Sequence, residues 1–143
     1  DSIEQATIAA LDPTFRANPG YDPATAAGVL VRSAMGDSTP LVQRSITERL
    51  AEQTLAHASR SPLSATLVAA DIAAAYPKDQ VLEWFLNSAD YGNLAFGIDA
   101  AARVYLGKSA ADVSLAEAAW LAALPAHSEL DPLADPTAAA AGT

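Results

Sequence analysis

Short apolar stretches at three- and four-residue spacing, each bounded by Pro, Gly or an Asp or Ser cap, constrain this chain most. Such spacing gives one apolar face to a helix, whereas a half-buried strand needs strict alternation. No segment sustains that alternation, so the pattern predicts an all-α fold of about seven helices. Ser2 caps a first helix over 2–11, with Ile3, Ala6 and Ala10 at helical spacing. Asp12-Pro13 and Pro19-Gly20 punctuate a loop in which Phe15 is the one large apolar anchor. Asp22-Pro23 starts a second helix that ends near Gly36, with Pro at the first helical position. Leu41, Ile46, Leu50 and Leu55 predict a long amphipathic helix, with Arg44, Glu48, Arg49 and Glu52 on its wet side. An Ala-rich helix over 63–76 follows, and Pro77-Lys78-Asp79 opens the next. A Gly-bearing loop over 87–93 precedes a helix over 96–106, which Gly107 stops. Ser114-Leu115-Ala116-Glu117 is a capping box that opens a last helix to about Leu124. Pro125 and the Asp-Pro pairs at 131 and 135 end regular structure. Trp84 and Trp120 are expected in the core.

Composition narrows the chemistry. Alanine fills 35 of the 143 positions, and its helix propensity and small size favour closely packed helices. Without a repeat or an internal boundary, residues 1–137 read as one domain and 138–143 as a low-complexity tail that frays. Cysteine is absent, which excludes disulfides, thiolate nucleophiles and thiolate metal sites. His57 and His127 match no metal or catalytic pattern. Eight Lys and Arg against seventeen Asp and Glu leave a net charge of −9, which excludes general nucleic-acid binding. No run approaches the ~20 apolar residues of a membrane-spanning helix. No signal-peptide pattern is present, and Asp1 is not an initiator Met, so the chain reads as a trimmed segment. Membrane association is expected only through an upstream segment or a neighbouring domain.

Over 76–136 a series of motifs runs without a gap. Tyr76-Pro77-Lys78-Asp79 leads into Val81-Leu82-Glu83-Trp84-Phe85-Leu86-Asn87. Tyr91-Gly92, Gly97-Ile98-Asp99-Ala100-Ala101 and Tyr105-Leu106-Gly107-Lys108 follow. Leu115 to Ala122, Leu124-Pro125 and Leu130 to Pro136 complete it. This ordered series resembles the second half of the family 51 glycosyltransferase domain, the peptidoglycan transglycosylase module of penicillin-binding proteins and monofunctional transglycosylases. Residues 6–20 and 35–44 resemble the family's first two motifs more faintly. The resemblance implies a lysozyme-like all-α domain of the peptidoglycan glycosyltransferase type, with a shortened small lobe. It places the chain at the extracytoplasmic face of a bacterial cell envelope. It implies lipid II, the glycan strand and cell-wall assembly proteins as partners. It implies no cofactor beyond a divalent cation such as Mg²⁺.

In that family a sugar hydroxyl attacks the anomeric carbon of a lipid-pyrophosphate donor. A general base takes its proton, and cations hold the departing pyrophosphate. The family's first Glu falls on Leu11, and its Asp neighbour is kept as Asp12. Phe15 and Gly20 are also kept, whereas the motif's His falls on Asn18. In the second motif Gly36, Ser38 and Thr39 are kept, the second Gly is Asp37, and Gln43 and Arg44 stand for the tandem Gln. In the third motif the Arg-Lys pair falls on Ser61 and Pro62, and the second Glu on Ala65. No catalytic carboxylate is intact, and most pyrophosphate-binding cations are missing. The resemblance therefore implies a pseudoenzyme, inactive or weakly active, that binds glycan or lipid II or scaffolds cell-wall assembly. Ser38, Thr39, Gln43, Arg44, Asn87 and Tyr91 are its candidate substrate-binding residues.

Two alternatives stand beside it. A divergent active transglycosylase would use Asp12 or a displaced Glu as its base. Against this, Asp12 before Pro13 reads better as a turn or cap residue, and Glu48 and Glu52 read better as a solvated face with Arg44 and Arg49. A lysozyme-like muramidase would need one Glu of raised pKa in a cleft, and no Glu stands at a suitable matched position.

Overall fold

A computed structural model of the chain describes residues 2–36, 44–55 and 62–126. Among them are seven α-helices: α1 (Ser2–Leu11), α2 (Pro23–Ala34), α3 (Ile46–Leu55), α4 (Pro62–Ala75), α5 (Lys78–Ser88), α6 (Ile98–Leu106) and α7 (Leu115–Ala123). A 3-10 turn covers Ala110–Asp112. The described residues hold no strand, only one isolated antiparallel bridge between Asp90 and Phe96. The chain forms two compact units, Asp1–Leu11 with Leu86–Thr143, and Asp12–Phe85.

In the first unit the N-terminal α1 packs along α7, and α6 touches both α7 and the 3-10 turn. Alanine makes this possible. Ala6 on α1 and Ala118 and Ala122 on α7 are buried, as are Ile3, Ala101, Ala102, Leu121 and Leu124, and small side chains let helix axes approach. The Ser114–Glu117 capping box is present at the start of α7, and Lys108 reinforces it with 2.8 and 3.0 Å hydrogen bonds to the Glu117 carboxylate. Trp120 is half-buried rather than enclosed. Its ring meets Tyr105 edge-on, with 5.5 Å between centroids.

In the second unit α4 packs against both α3 and α2. Asp22 caps α2 by accepting from Ala24 N and Thr25 N, with Pro23 at the first helical position. Phe15, Ile46, Val81, Leu82 and Phe85 are enclosed. Gly20 sits at φ +98°, where a Cβ would lie 2.5 Å from the Ala69 carbonyl oxygen; only glycine lets this loop touch α4. Trp84 is half-buried here too, edge-on to Tyr76.

One expectation is overturned in α3. The helix begins at Ile46, after a Ser45 cap, and Glu48 is 3% exposed rather than on a wet face. Ser45-Ile46-Thr47-Glu48 is a second capping box: Glu48 N donates to Ser45 Oγ at 3.0 Å, and Ser45 N donates to the Glu48 carboxylate at 3.0 Å. Satisfying two helix-end donors reciprocally turns Glu48 inward. The predicted start near Leu41 lies outside the described residues, as do His57, His127, the Asp-Pro pairs and the tail.

Candidate functional site

The loop over 12–20 is a polar knot built on Asp12. Asp12 is 6% exposed. Its carboxylate accepts from Thr14 Oγ1 at 3.0 Å, from Asn18 Nδ2 at 2.9 and 3.1 Å, and from Ile46 N at 3.2 Å. The last contact caps the start of α3 with a negative charge, where the helix dipole favours one. Ser45 Oγ donates to the Gly20 carbonyl, so the loop is fastened to α3 at both ends. Lys78, at the start of α5, donates to Asn18 Oδ1 at 3.0 Å and lies 4.8 Å above the Phe15 ring. Burial pushes the Lys78 ammonium down, and the Asp12 charge opposes this.

A second group of charges surrounds the N-terminal half of α3. Glu48 accepts from Thr66 Oγ1 of α4 at 2.7 Å. Arg44 pairs with Glu52. Burial lowers the Arg44 pKa, and Glu48 opposes that. Arg49 is lowered by burial and by Arg44, and supported by Asp12 and Glu48. Arg44, Arg49 and Lys78 thus face Asp12, Glu48 and Glu52, three cations against three carboxylates. Among the described residues these six formal charges sum to zero, so the cluster itself offers an anion no surplus positive charge.

The two positions that the resemblance assigns to catalytic Glu are apolar. Leu11 is half-buried at the end of α1, and Ala65 is 4% exposed on α4. Asp12 follows Leu11 directly, but both its oxygens are engaged. Ser38, Thr39 and Gln43 lie outside the described residues. Arg44 is half-buried and ion-paired. Tyr91 is 2% exposed, its hydroxyl has no hydrogen-bond partner, and burial pushes its pKa up. Asn87 is exposed near the end of α5. Among the described residues no group of three or more His, Cys, Asp or Glu is placed to hold a metal ion.

Sequence reasoning missed the inward turn of Glu48 and its Thr66 partner. The Ser45-x-x-Glu48 pattern was the signal available for it.

This all-helical fold is that of a transglycosylase-type domain. The family model for Transglycosylase matches residues 1–142, and the chain belongs to that family. It is 49% identical over 72 residues, half of this chain, to penicillin-binding protein 1A of Pseudomonas aeruginosa. It is 32% identical over 138 residues, 94% of this chain, to penicillin-binding protein 1A of Neisseria flavescens. It is 31% identical over 127 residues, 87% of this chain, to penicillin-binding protein 2D of Bacillus subtilis. The chain spans only 9%, 17% and 18% of the length of these relatives. No helix among the described residues is long and apolar enough to cross a membrane.

Proposed function

We propose that this domain keeps the peptidoglycan glycosyltransferase fold without its turnover, and serves as a glycan-binding or scaffolding module of cell-wall assembly at the outer face of the bacterial envelope. The observation that carries this is the state of the carboxylates. The family Glu positions hold Leu11 and Ala65, and the adjacent Asp12 is 6% exposed with its lone pairs committed to Thr14, Asn18 and Ile46. A base must be free to take a proton from the attacking hydroxyl. Leu and Ala cannot, and Asp12 would first have to abandon the start of α3. The neutral cluster around Arg44 adds to this, because a departing pyrophosphate needs uncompensated cations. Loss of a base and of charge stabilisation costs roughly 10²–10⁴-fold each.

Two other readings find less support. For a divergent polymerase the displaced Glu would be Glu48, which is enclosed and held by Ser45 and Thr66. The same enclosure speaks against Glu48 as the acid of a muramidase, since substrate cannot reach it. The divalent cation used in the family finds no set of ligands among the described residues, and we assign none. The deciding experiment incubates the purified chain with lipid II and resolves the products on a gel. No glycan polymer is expected. Polymer at a rate comparable to an intact family member overturns the reading, and loss of that polymer in Asp12→Asn would identify the base.

A further inference from the structure

The loop over 91–97 is held by a dense set of hydrogen bonds, yet it displays apolar side chains to solvent. Asn93 and Leu94 adopt left-handed backbone, at φ 51° and 62°. Two successive non-glycine residues there cost energy, and such strain persists only where surroundings impose it. Here they do. Tyr91 N donates to the Ala95 carbonyl at 3.0 Å, Ala95 N to Gly92 at 2.8 Å, and Gly97 N to Ala89 at 2.8 Å. Tyr105 Oη donates to the Tyr91 carbonyl at 2.8 Å and accepts from Asn93 Nδ2 at 3.0 Å. Gly97, at φ +86°, touches the Asn87 backbone so closely that a Cβ would lie 2.7 Å from its carbonyl oxygen.

Out of this frame stand Leu94, 88% exposed, and Phe96, 59% exposed. Phe96 forms the antiparallel bridge with Asp90, and residues directly opposite in such a bridge project from the same face. Asp90 is exposed, and Gly92 N occupies its Oδ1 at 2.8 Å. An aromatic ring and a carboxylate therefore share one exposed face on a hydrogen-bonded loop, with the Asn87 backbone packed against Gly97.

We propose that this face binds an uncharged sugar chain, with the Phe96 ring against the apolar face of a pyranose and the Asp90 carboxylate accepting its hydroxyls. The proposal rests on the glycan-binding reading above and names the surface responsible. Charge selects the ligand class. Between residues 86 and 126 the only cations are Arg103 and Lys108. The first is bound to Asp99 and the second to Glu117. A phosphorylated ligand would meet the Asp90 carboxylate, and both cations of this segment are already ion-paired. An apolar protein pocket would have to bury that carboxylate unpaired. A neutral polyol satisfies it.

The test titrates chitotetraose, an uncharged β-1,4 N-acetylglucosamine oligomer, into the ¹⁵N-labelled full chain. Amide shifts are expected to concentrate on 87–97. Phe96→Ala is expected to weaken binding roughly tenfold, or ~1.4 kcal/mol, while Phe96→Trp retains it and Asp90→Asn weakens it less. Pyrophosphate is expected to leave these amides in place. Phe96 is largely exposed, so its variants test recognition rather than folding. No binding at millimolar sugar, shifts centred elsewhere, unchanged affinity in Phe96→Ala, or equal shifts from pyrophosphate overturn the proposal. Polymer formation from lipid II overturns the loss of turnover instead and leaves this surface standing, so the two failures are distinct.

Discussion

At the scale of single residues, two carboxylates show how environment assigns a role. Asp12 was visible as a family remnant and as a turn residue before Pro13, and the second role is the one its partners support. Asp12→Ala is expected to cost about 2–4 kcal/mol, because it strands the buried Ile46 amide and takes an acceptor from the half-buried Asn18; urea unfolding followed by circular dichroism measures this. Glu117 is the other case. The Lys108 ammonium, then the Ser114 backbone and hydroxyl, lower its pKa from 4.5 to about 2. A group depressed in the folded state stabilises above its unfolded pKa, and that contribution fades as pH falls toward the folded value. Wild type should therefore melt above Glu117→Gln at pH 7, with the gap closing between about pH 4.5 and 2. A constant gap across that range would remove the ionic explanation. The capping box was legible because both members lie within four residues. The Lys108 contact was not, because it depends on how the turn after α6 folds back.

At the scale of elements, helix existence was readable and helix orientation was not. The starts at Asp22-Pro23 and Ser114 and the stop at Gly107 appear where local chemistry puts them. Glu48 went the other way: helical spacing grouped it with Arg44, Arg49 and Glu52, while the Ser45 cap and Thr66 of α4 drew it inward. Spacing reports which residues share a face, not what a neighbouring helix offers that face. Ser45→Ala removes the cap and the bond to Gly20, and is expected to lower stability by about 1–2 kcal/mol and to speed amide exchange in the first turn of α3. Gly97→Ala is expected to cost more than about 1 kcal/mol, since it adds a Cβ at positive φ against the Asn87 carbonyl; thermal melting reads this. Should the variant melt with wild type, the close approach of that loop to α5 would be wrong.

At the scale of the whole molecule, the net charge of −9 leaves few cations for an anionic ligand. Among the described residues of the second unit, Arg44, Arg49 and Lys78 face Asp12, Glu48 and Glu52, so 10 mM pyrophosphate is expected to leave the melting temperature unchanged. A ligand binding only the folded state would raise it. The pairing of α1 with α7 is a second property of this scale. Removing residues 2–11 takes away the helix packed on α7, and hydrogen exchange is expected to accelerate along α7. The sequence by itself determined the helical class, most caps and the family, because periodicity, capping and motif order are local and written residue by residue. Only the tertiary structure decided that the first helix closes on the last and that Glu48 is a buried strut. It alone placed Phe96 beside Asp90 on one exposed face. Those outcomes depend on which surfaces distant segments bury together, and no local pattern carries that information.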